Sequence, residues 1–365
     1  MMLAALHSVV ALGTVDEWVG SDAFTGWLRE GGAYINDKLV MGTSSAFLNG
    51  QVRGVWVREG KTLEASELLA VIPLDLTIAS SFCGAVAEID DELRKGDASR
   101  LAPYLAELRS FFDPPTAVLP NYWDEEARAL LRDVIPSDIN QHEASYSYWC
   151  KPTADDRRAL MLAVSRMTTL AESWRRGQYM MVPFYDAINH CSGRCDNVGV
   201  AHPLNSSTVL RARHAVEGGT QLFLRYAETA ADLLLNHGFV STIGKVGWHV
   251  PSSPGAMCRT STGWAPCTSP QGEHRFDVDE KGVVDCTAGC DASTLSHDAT
   301  ALLATVRERL SAAEALQLRL VGRGQPPARL AEVHMAHAYL EAMHSALERA
   351  IDWANSVATA RTELR

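Results

Sequence analysis

Several things are scarce in this chain of 365 residues. No apolar run approaches the ~20 residues that a membrane-crossing helix needs, so no membrane partner is expected. Basic residues are outnumbered: 33 Lys and Arg stand against 44 Asp and Glu, a formal net charge of -11. Binding to phosphates rests on clustered cations, so no nucleic-acid partner is expected either. An acidic surface instead attracts basic polypeptide segments. Phosphate-cradling glycine patterns are missing: there is no G-x-G-x-x-G and no P-loop, which removes the footing for a Rossmann-type methyltransferase or an NTPase. Met1 to Gly13 is weakly apolar but holds no Lys or Arg. It makes a poor secretory signal or transit peptide; a frayed terminus or a clipped transit sequence fits it better. No repeat or low-complexity tract stands out.

What is present suits a globular protein of one large or two medium domains, with 47% hydrophobic and 21% charged residues. Of eight cysteines, six fall between Cys191 and Cys290. Cys191/Cys195 and Cys286/Cys290 share one spacing, with Cys258 and Cys267 between them. Three intervening residues depart from the two usual in zinc ribbons. An intracellular compartment disfavours disulfides, so reduced or loop thiols are favoured and no metal is assigned, with disulfides and zinc as the open alternatives.

Phe24 to Ala33 reads as a short helix stopped by glycines. Val52 to Val57 alternates like a strand, a turn follows at Gly60, and Leu68 to Pro73 reads as a strand paired with it. From Ala85 to Leu131 the pattern is helical, with Leu101, Tyr104, Leu105 and Leu108 on one face and breaks at Pro114, Pro115 and Pro120. Ala154 to Trp174 reads as a further helix. Strands return near Thr208–Leu210 and Gln221–Leu224. Residues 244–290 read as loop-rich around a hairpin, Arg275 to Val278, turning at Lys281-Gly282. After Ser296 the chain is helical, interrupted from Gly322 to Pro327. This order is α+β, without the regular alternation of a doubly wound sheet.

Leu330, Val333, His337, Leu340, His344, Leu347, Ile351 and Ala354 form a heptad-like stripe expected to pack on Leu302, Leu303, Val306 and Leu310. His334, His337, Glu341 and His344 also share a helix face. One helix seldom completes a metal site, so this face is read as a boundary or surface.

The most telling run is Val182-Pro183-Phe184-Tyr185-Asp186-Ala187-Ile188-Asn189-His190. An apolar approach ends in Asp-x-x-Asn-His. Then come Gly218-Gly219, a strand closing on Tyr226, a short helix, and His237-Gly238-Phe239. This order resembles the catalytic half of SET-domain methyltransferases, within the branch that includes the plant Rubisco large-subunit lysine methyltransferase and the actin-histidine methyltransferases. Arg53-Gly54-Val55 resembles the family's early glycine turn, where a missing Cβ lets the backbone approach a cofactor. Leu68 to Leu76 resembles its strand-Pro element. Residues 96–105 and 122–126 are similar to the helical insert, and Ser165-Arg166 to the Ser-Arg pair.

The resemblance implies a SET-domain β-fold, small curved sheets with a knot-like core. Residues 1–17 are then an N-terminal extension and 18–243 the SET domain, with a helical insert at about 84–160. Residues 244–295 form a loop-rich Cys/Gly/Pro insertion, and 296–365 a C-terminal helical region of the kind that helps hold a protein substrate. It implies S-adenosylmethionine as cofactor and a protein side-chain nitrogen, lysine before histidine, as acceptor. Tyr226 is the implied catalytic residue, orienting the incoming nitrogen, with carbonyls near Ile188 and Arg225 facing the methyl group. Arg53, Gly54, Val55, Arg166, Asp186, Asn189, His190, His237, Gly238 and Phe239 are implied in cofactor binding. Arg166, Thr168, Asp186, Tyr226 and His237 are implied on the substrate side, with Asp186 holding the loop or orienting Arg166. Three departures from the family pattern bear on acceptor and catalysis. Ala227 follows Tyr226 where glycine is common, and His237 stands where the Rubisco enzymes often carry a tyrosine. Thr168 falls where lysine enzymes carry a bulky aromatic and histidine-specific ones an amide. An inactive SET scaffold that only binds protein is the alternative from another class. A monomer is expected inside the cell, in cytoplasm before plastid or nucleus.

Overall fold

The computed structural model describes residues 16–17, 21–47, 50–112, 119–132, 134–135, 139, 146–150, 157–166, 168–169, 178–191, 195–201, 207–227, 229–240, 246–250, 257–260, 263–266, 274–278, 284–286 and 292–363. In chain order, strand β1 (Asp16–Glu17) and helix α1 (Ser21–Glu30) come first. Strands β2 (Tyr34–Ile35), β3 (Leu39–Phe47), β4 (Gly50–Val57), β5 (Thr62–Leu63), β6 (Leu68–Pro73) and β7 (Ile78–Ser81) follow. Helices α2 (Phe82–Lys95), α3 (Ala102–Phe112), α4 (Glu125–Leu131) and α5 (Arg157–Arg166) interrupt them. Strands resume with β8 (Thr168–Thr169), β9 (Gln178–Met181), β10 (Asn189–His190), β11 (Val198–Ala201), β12 (Ser207–Ala212), β13 (Val216–Glu217) and β14 (Phe223–Leu224). Helix α6 (Ala230–His237) precedes β15 (Val246–Val250), β16 (Met257–Thr260), β17 (Gly263–Pro266), β18 (His274–Val278) and β19 (Val284–Cys286). Two long helices, α7 (Ala292–Gly322) and α8 (Pro327–Glu363), close the chain. The expected α+β order is the one observed.

The chain divides into two compact units, one drawn from 1–110 and 153–226, the other from 111–152 and 227–365. In the first, the strands form small sheets of two to four members. β3 and β4 make an antiparallel hairpin, with Met41 opposite Val55 and Gly42 opposite Gly54. β6 lies between β12 and β2 in a four-stranded sheet. The expected pairing of the Val52–Val57 strand with Leu68–Pro73 is therefore corrected: each has other partners, because β3, read as no element in the sequence, supplies the hairpin mate. Leu69, Ala70 and Ile72 of β6 are fully buried, and a leucine or isoleucine side chain so placed contributes about 1.5–3 kcal/mol. The helix read from Ala154 to Trp174 ends at Arg166, and Thr168–Thr169 instead pairs with β9. β-branched threonines suit a strand better than a helix. The remainder of that stretch, 170–174, lies outside the described residues.

The cysteines depart from the reduced state favoured above. Cys191 and Cys195 are disulfide-bonded, with Cα atoms 5.8 Å apart, inside the span a disulfide bridges, and Cys83 and Cys150 are disulfide-bonded too. The side chains of Cys258 and Cys286, and all of Cys267 and Cys290, lie outside the described residues.

In the second unit, α4, α6, α7 and α8 share one core. The stretch read as loop-rich holds five strands. β18 and β19 form the expected hairpin, Phe276 opposite Cys286, and β15 pairs with the other edge of β18. The buried stripe of α8 is Val333, Ala336, Leu340, Met343, Leu347, Ala350 and Ala354, shifted from the expected one at its alternate positions. His337 and His344 lie at its edge. His337 faces Glu341 at 3.6 Å, and His344 faces Glu348 at 3.6 Å while its Nε2 accepts from Arg307 Nε at 3.1 Å. Imidazoles stay where polar partners and water reach them, and Ala and Met take the closest approach to α7.

Candidate active site

Three segments of the first unit meet at the candidate site: β4, the run from Val182 to Cys191, and the run from Gly219 to Tyr226. Main-chain bonds lock the first to the third. Leu222 N–H donates to Val55 O at 2.7 Å, Val57 N–H to Thr220 O at 2.9 Å, and Gly219 N–H to Val57 O at 2.8 Å. The second and third lie side by side as the parallel pair β10 and β14, with Asn189 opposite Phe223 and His190 opposite Leu224. Cys191 N–H extends the pairing to Leu224 O. Asn197, 4% exposed, pins the same place: its Nδ2 donates to Gln221 O at 2.9 Å and its Oδ1 accepts from Phe223 N–H at 2.7 Å.

The approach to Asp186 turns sharply. Phe184 is buried with φ +71, a conformation that disfavours an L side chain by about 1–2 kcal/mol. It starts the 3₁₀ turn Tyr185–Ala187 that carries Asp186. Such strain, held by a buried ring, is frequent at functional sites.

Side chains then join the segments. Asn189 Nδ2 donates to Arg53 O at 2.5 Å, tying β10 to β4. Tyr226 O–H donates to Ile188 O at 2.5 Å, and Tyr226 N–H donates to His190 Nδ1 at 3.0 Å. The latter bond makes Nδ1 an acceptor, so the neutral imidazole carries its proton on Nε2. The two rings are 5.5 Å apart at 54°. The phenol of Tyr226 therefore points toward the Asn-His segment, and the Ile188 carbonyl expected to face a methyl group is engaged by that phenol.

Gly54 lies at the centre of the junction. A Cβ there would meet Gln221 Nε2 at 2.2 Å, Asn189 Nδ2 at 3.0 Å and Trp56 Cη2 at 3.0 Å. Gln221 Nε2 is itself buried and has no hydrogen-bond partner among the described residues. Val55 is fully buried beside it.

Two residues outside the sequence-derived set complete the back of the site, both from α3. Tyr104 O–H donates to Asp186 Oδ2 at 2.7 Å, and Glu107 Oε1 meets Arg53 Nη1 at 2.9 Å. Asp186 thus holds the segment through Tyr104. Burial pushes the Glu107 carboxyl up to about 7, the Arg53 charge opposes that, and the Asp186 charge adds to it. Tyr104 carried a signal, its place on the apolar face of α3; Glu107, three residues on, carried none that sets it apart from a solvated helix charge.

Not every expected residue joins this cluster. Arg166 ends α5 and Thr168 opens β8, opposite Met180; the side chains of both lie outside the described residues. His237, Gly238 and Phe239 belong to the second unit. Gly238 there closes α6 in the left-handed region at φ 74, its N–H bonded to Leu234 O, and the rings of His237 and Phe239 are 6.3 Å apart.

Comparison with protein-family models and with curated proteins gives no match. Solved structures do match along nearly the whole chain. The SET domain of LSMT bound to lysine and AdoHcy is 14% identical, with a TM-score of 0.56 over 93% of this chain and 91% of that one. Rubisco LSMT bound to sinefungin and monomethyllysine is 14% identical, with a TM-score of 0.53 over 93% and 92%. The SET domain of LSMT bound to methyllysine and AdoHcy is 15% identical, with a TM-score of 0.51 over 95% and 94%. The protein has the SET-domain fold, of the α+β class and with C-terminal helices.

Proposed function

We propose that this protein is an S-adenosylmethionine-dependent protein methyltransferase whose acceptor is a side-chain nitrogen, lysine before histidine. The observation that carries the reading is the Tyr226 phenol aimed at Ile188 O, with Asn189 bonded to Arg53 O beside it. Two features support a fit for the donor: the bare backbone of Gly54, and the buried Gln221 Nε2 packed against it, which has no hydrogen-bond partner among the described residues. The solved relatives of this fold are bound to AdoHcy or sinefungin together with lysine or methylated lysine.

The donor supplies an activated methyl group on a sulfonium; the chain's own residues position what reacts. Gly54, Val55 and the Arg53 backbone, with Asn189 and His190 of the neighbouring segment, are assigned to the donor. Arg53 and Asp186 are assigned to the donor side. Tyr226 orients the incoming nitrogen, which has to be neutral to attack; apolar walls and a nearby positive charge favour that form. Near-attack positioning supplies much of the rate in such a site. Arg166, whose guanidinium suits the donor's carboxylate, is assigned to both the donor and the substrate side, and Thr168 and Asp186 to the substrate side. In this reading 18–243 is the SET domain, 244–295 an insertion, and 296–365 holds the protein substrate.

The test is incubation of cell extract with labelled donor, followed by mass spectrometry, which reports target, residue and methylation state together. Labelled lysine in a discrete protein is expected; labelled histidine selects the variant. Tight donor binding without any transfer selects the binding-module alternative. Tyr226→Phe should lower transfer by at least about tenfold while donor affinity stays within a few-fold. Near-normal turnover in that variant removes Tyr226 from its role.

A further inference from the structure

Gln221 stands apart at the junction for what its side chain leaves undone. Its backbone is fixed on both sides. It bridges to Trp56 of β4, its carbonyl accepts from Asn197 Nδ2 at 2.9 Å, and the next residue, Leu222, donates its N–H to Val55 O at 2.7 Å. The residue is 7% exposed. Its Nε2 is sealed from water and has no hydrogen-bond partner among the described residues. The amide lies over the bare face of Gly54, 2.2 Å from where a Cβ would stand. A second amide, Asn189 Nδ2, is 3.0 Å from the same point and donates to Arg53 O. Two N–H₂ groups therefore crowd one glycine, and one of them lacks an acceptor. A buried donor left in that state is costly, and an apolar side chain of the same shape would fill the space without the cost. Native folds satisfy nearly all such groups, so an exception points to an acceptor that arrives from outside the fold.

Resting on the donor reading above, we propose that Gln221 is a donor-recognition residue. When S-adenosylmethionine binds, the Gln221 amide turns off Gly54 and donates to an oxygen or ring nitrogen of the ligand, which takes the amide's place over the bare backbone. Strand contacts hold the Cα still, and the side-chain torsions beyond it carry the amide. Asn189 stays on Arg53 O, so the ligand meets one fixed amide and one that moves. The ligand brings several acceptors: a carboxylate, ribose hydroxyls and adenine ring nitrogens. The missing Cβ at Gly54 and the missing acceptor at Gln221 are then two sides of one arrangement. The glycine leaves room for whichever group lies there, and the amide bonds the ligand that displaces it. A neutral amide does not read the sulfonium charge, so S-adenosylhomocysteine is recognised in the same way as S-adenosylmethionine.

The experiment is calorimetric titration of the full chain in the wild type, Gln221→Met and Gln221→Ala, beside thermal unfolding of each empty protein. The ligands are S-adenosylmethionine, S-adenosylhomocysteine and methylthioadenosine, which lacks the amino-acid half. Methionine matches glutamine in length and has no N–H to give. Empty Gln221→Met should melt at or above the wild type, because the fold loses no bond. Its affinity for S-adenosylmethionine and S-adenosylhomocysteine should fall at least about fivefold. A matching fall with methylthioadenosine puts the acceptor on the nucleoside; a fall with the two larger ligands alone puts it on the carboxylate. Gln221→Ala clears the space over Gly54 and should bind as weakly as Gln221→Met. Wild-type affinity in Gln221→Ala means that the methionine merely obstructs, and overturns the inference. Wild-type affinity in Gln221→Met overturns it as well and leaves the donor reading standing. A Gln221→Met protein that melts well below the wild type or fails to fold has the same force, since a volume-conserving swap costs little by itself and the amide must then be bonded within the fold. Failure of the wild type to bind either S-adenosyl compound overturns both readings.

Discussion

At the scale of single residues, the site is a set of close approaches that small changes break. Gly54→Ala adds one methyl group against Gln221 Nε2, Asn189 Nδ2 and Trp56. Overpacking of this kind destabilises by ~1–3 kcal/mol, and it pushes on the amide that bonds Arg53 O. Denaturant unfolding should show that loss, and calorimetry a donor affinity at least about tenfold weaker; wild-type affinity would place the donor elsewhere. Glu107 has a separate signature in stability. Its carboxyl is raised from 4.5 to about 7 in the fold, so the folded chain binds a proton that the unfolded chain lacks between those values. Its contribution is full below about pH 4.5 and is lost as pH rises through about 7, on the order of 3 kcal/mol or less. Urea unfolding at pH 5 and pH 8 should show that decline in the wild type, and Glu107→Gln should flatten it. Asn189, His190 and Tyr226 were legible because their chemistry is compressed into short runs with a fixed order. Glu107 was not, because its partners lie 54 and 79 positions away and a charged residue on a helix reads as solvated. Gln221 and Asn197 carry no signal in their neighbours; the packing of the Gly219–Tyr226 run on β4 and the bonds of Asn197 to Gln221 O and Phe223 N–H give them work.

At the scale of elements, ends were easier to read than partners. Helix α6 starts at Thr229, whose Oγ1 accepts from Asp232 N–H at 3.1 Å and donates to Asp232 Oδ2 at 2.7 Å, and it stops at Gly238. Thr229→Ala removes the cap and should lower stability by about 1 kcal/mol. Gly238→Ala forces a Cβ into the left-handed region and should cost about 1–2 kcal/mol. Paired thermal unfolding of the two variants checks both; if either melts with the wild type, that end of the helix is held by packing and not by its cap. The glycine stop of α1, the break between α7 and α8 and the β18–β19 hairpin were legible for the same reason, since Gly and Pro act locally. Strand partners were not, because β6 pairs with β12 across well over a hundred residues. Alternation along a strand identifies its faces and says nothing about its neighbour. The α8 stripe was placed correctly at Val333, Leu340, Leu347 and Ala354, and its alternate positions His337, His344 and Ile351 were each one residue off for a related reason. Histidine and isoleucine fit the heptad as well as alanine and methionine do, and the choice is made by how closely α7 approaches.

At the scale of the whole molecule, charge is the property that the sequence states outright and the fold puts to use. A net -11 on 365 residues surrounds a site proposed to take a polypeptide, and no helix among the described residues is long and apolar enough to cross a membrane. Long-range steering by such a field raises encounter rates with basic partners and is screened by salt. A basic acceptor segment should therefore lose at least about fivefold in kcat/KM between about 50 and about 500 mM salt. Donor affinity should move far less, since charges sealed from water, such as Arg53, Glu107 and Asp186, are poorly screened. Measuring both quantities on one preparation separates encounter from site chemistry. If kcat/KM for a basic acceptor stays flat while the donor titration also stays flat, the acidic surface lies away from the substrate path and acceptor choice rests on contacts within the site. If donor affinity falls with salt as steeply as kcat/KM, the donor is held by exposed charges and not by the buried junction around Gly54 and Asn189.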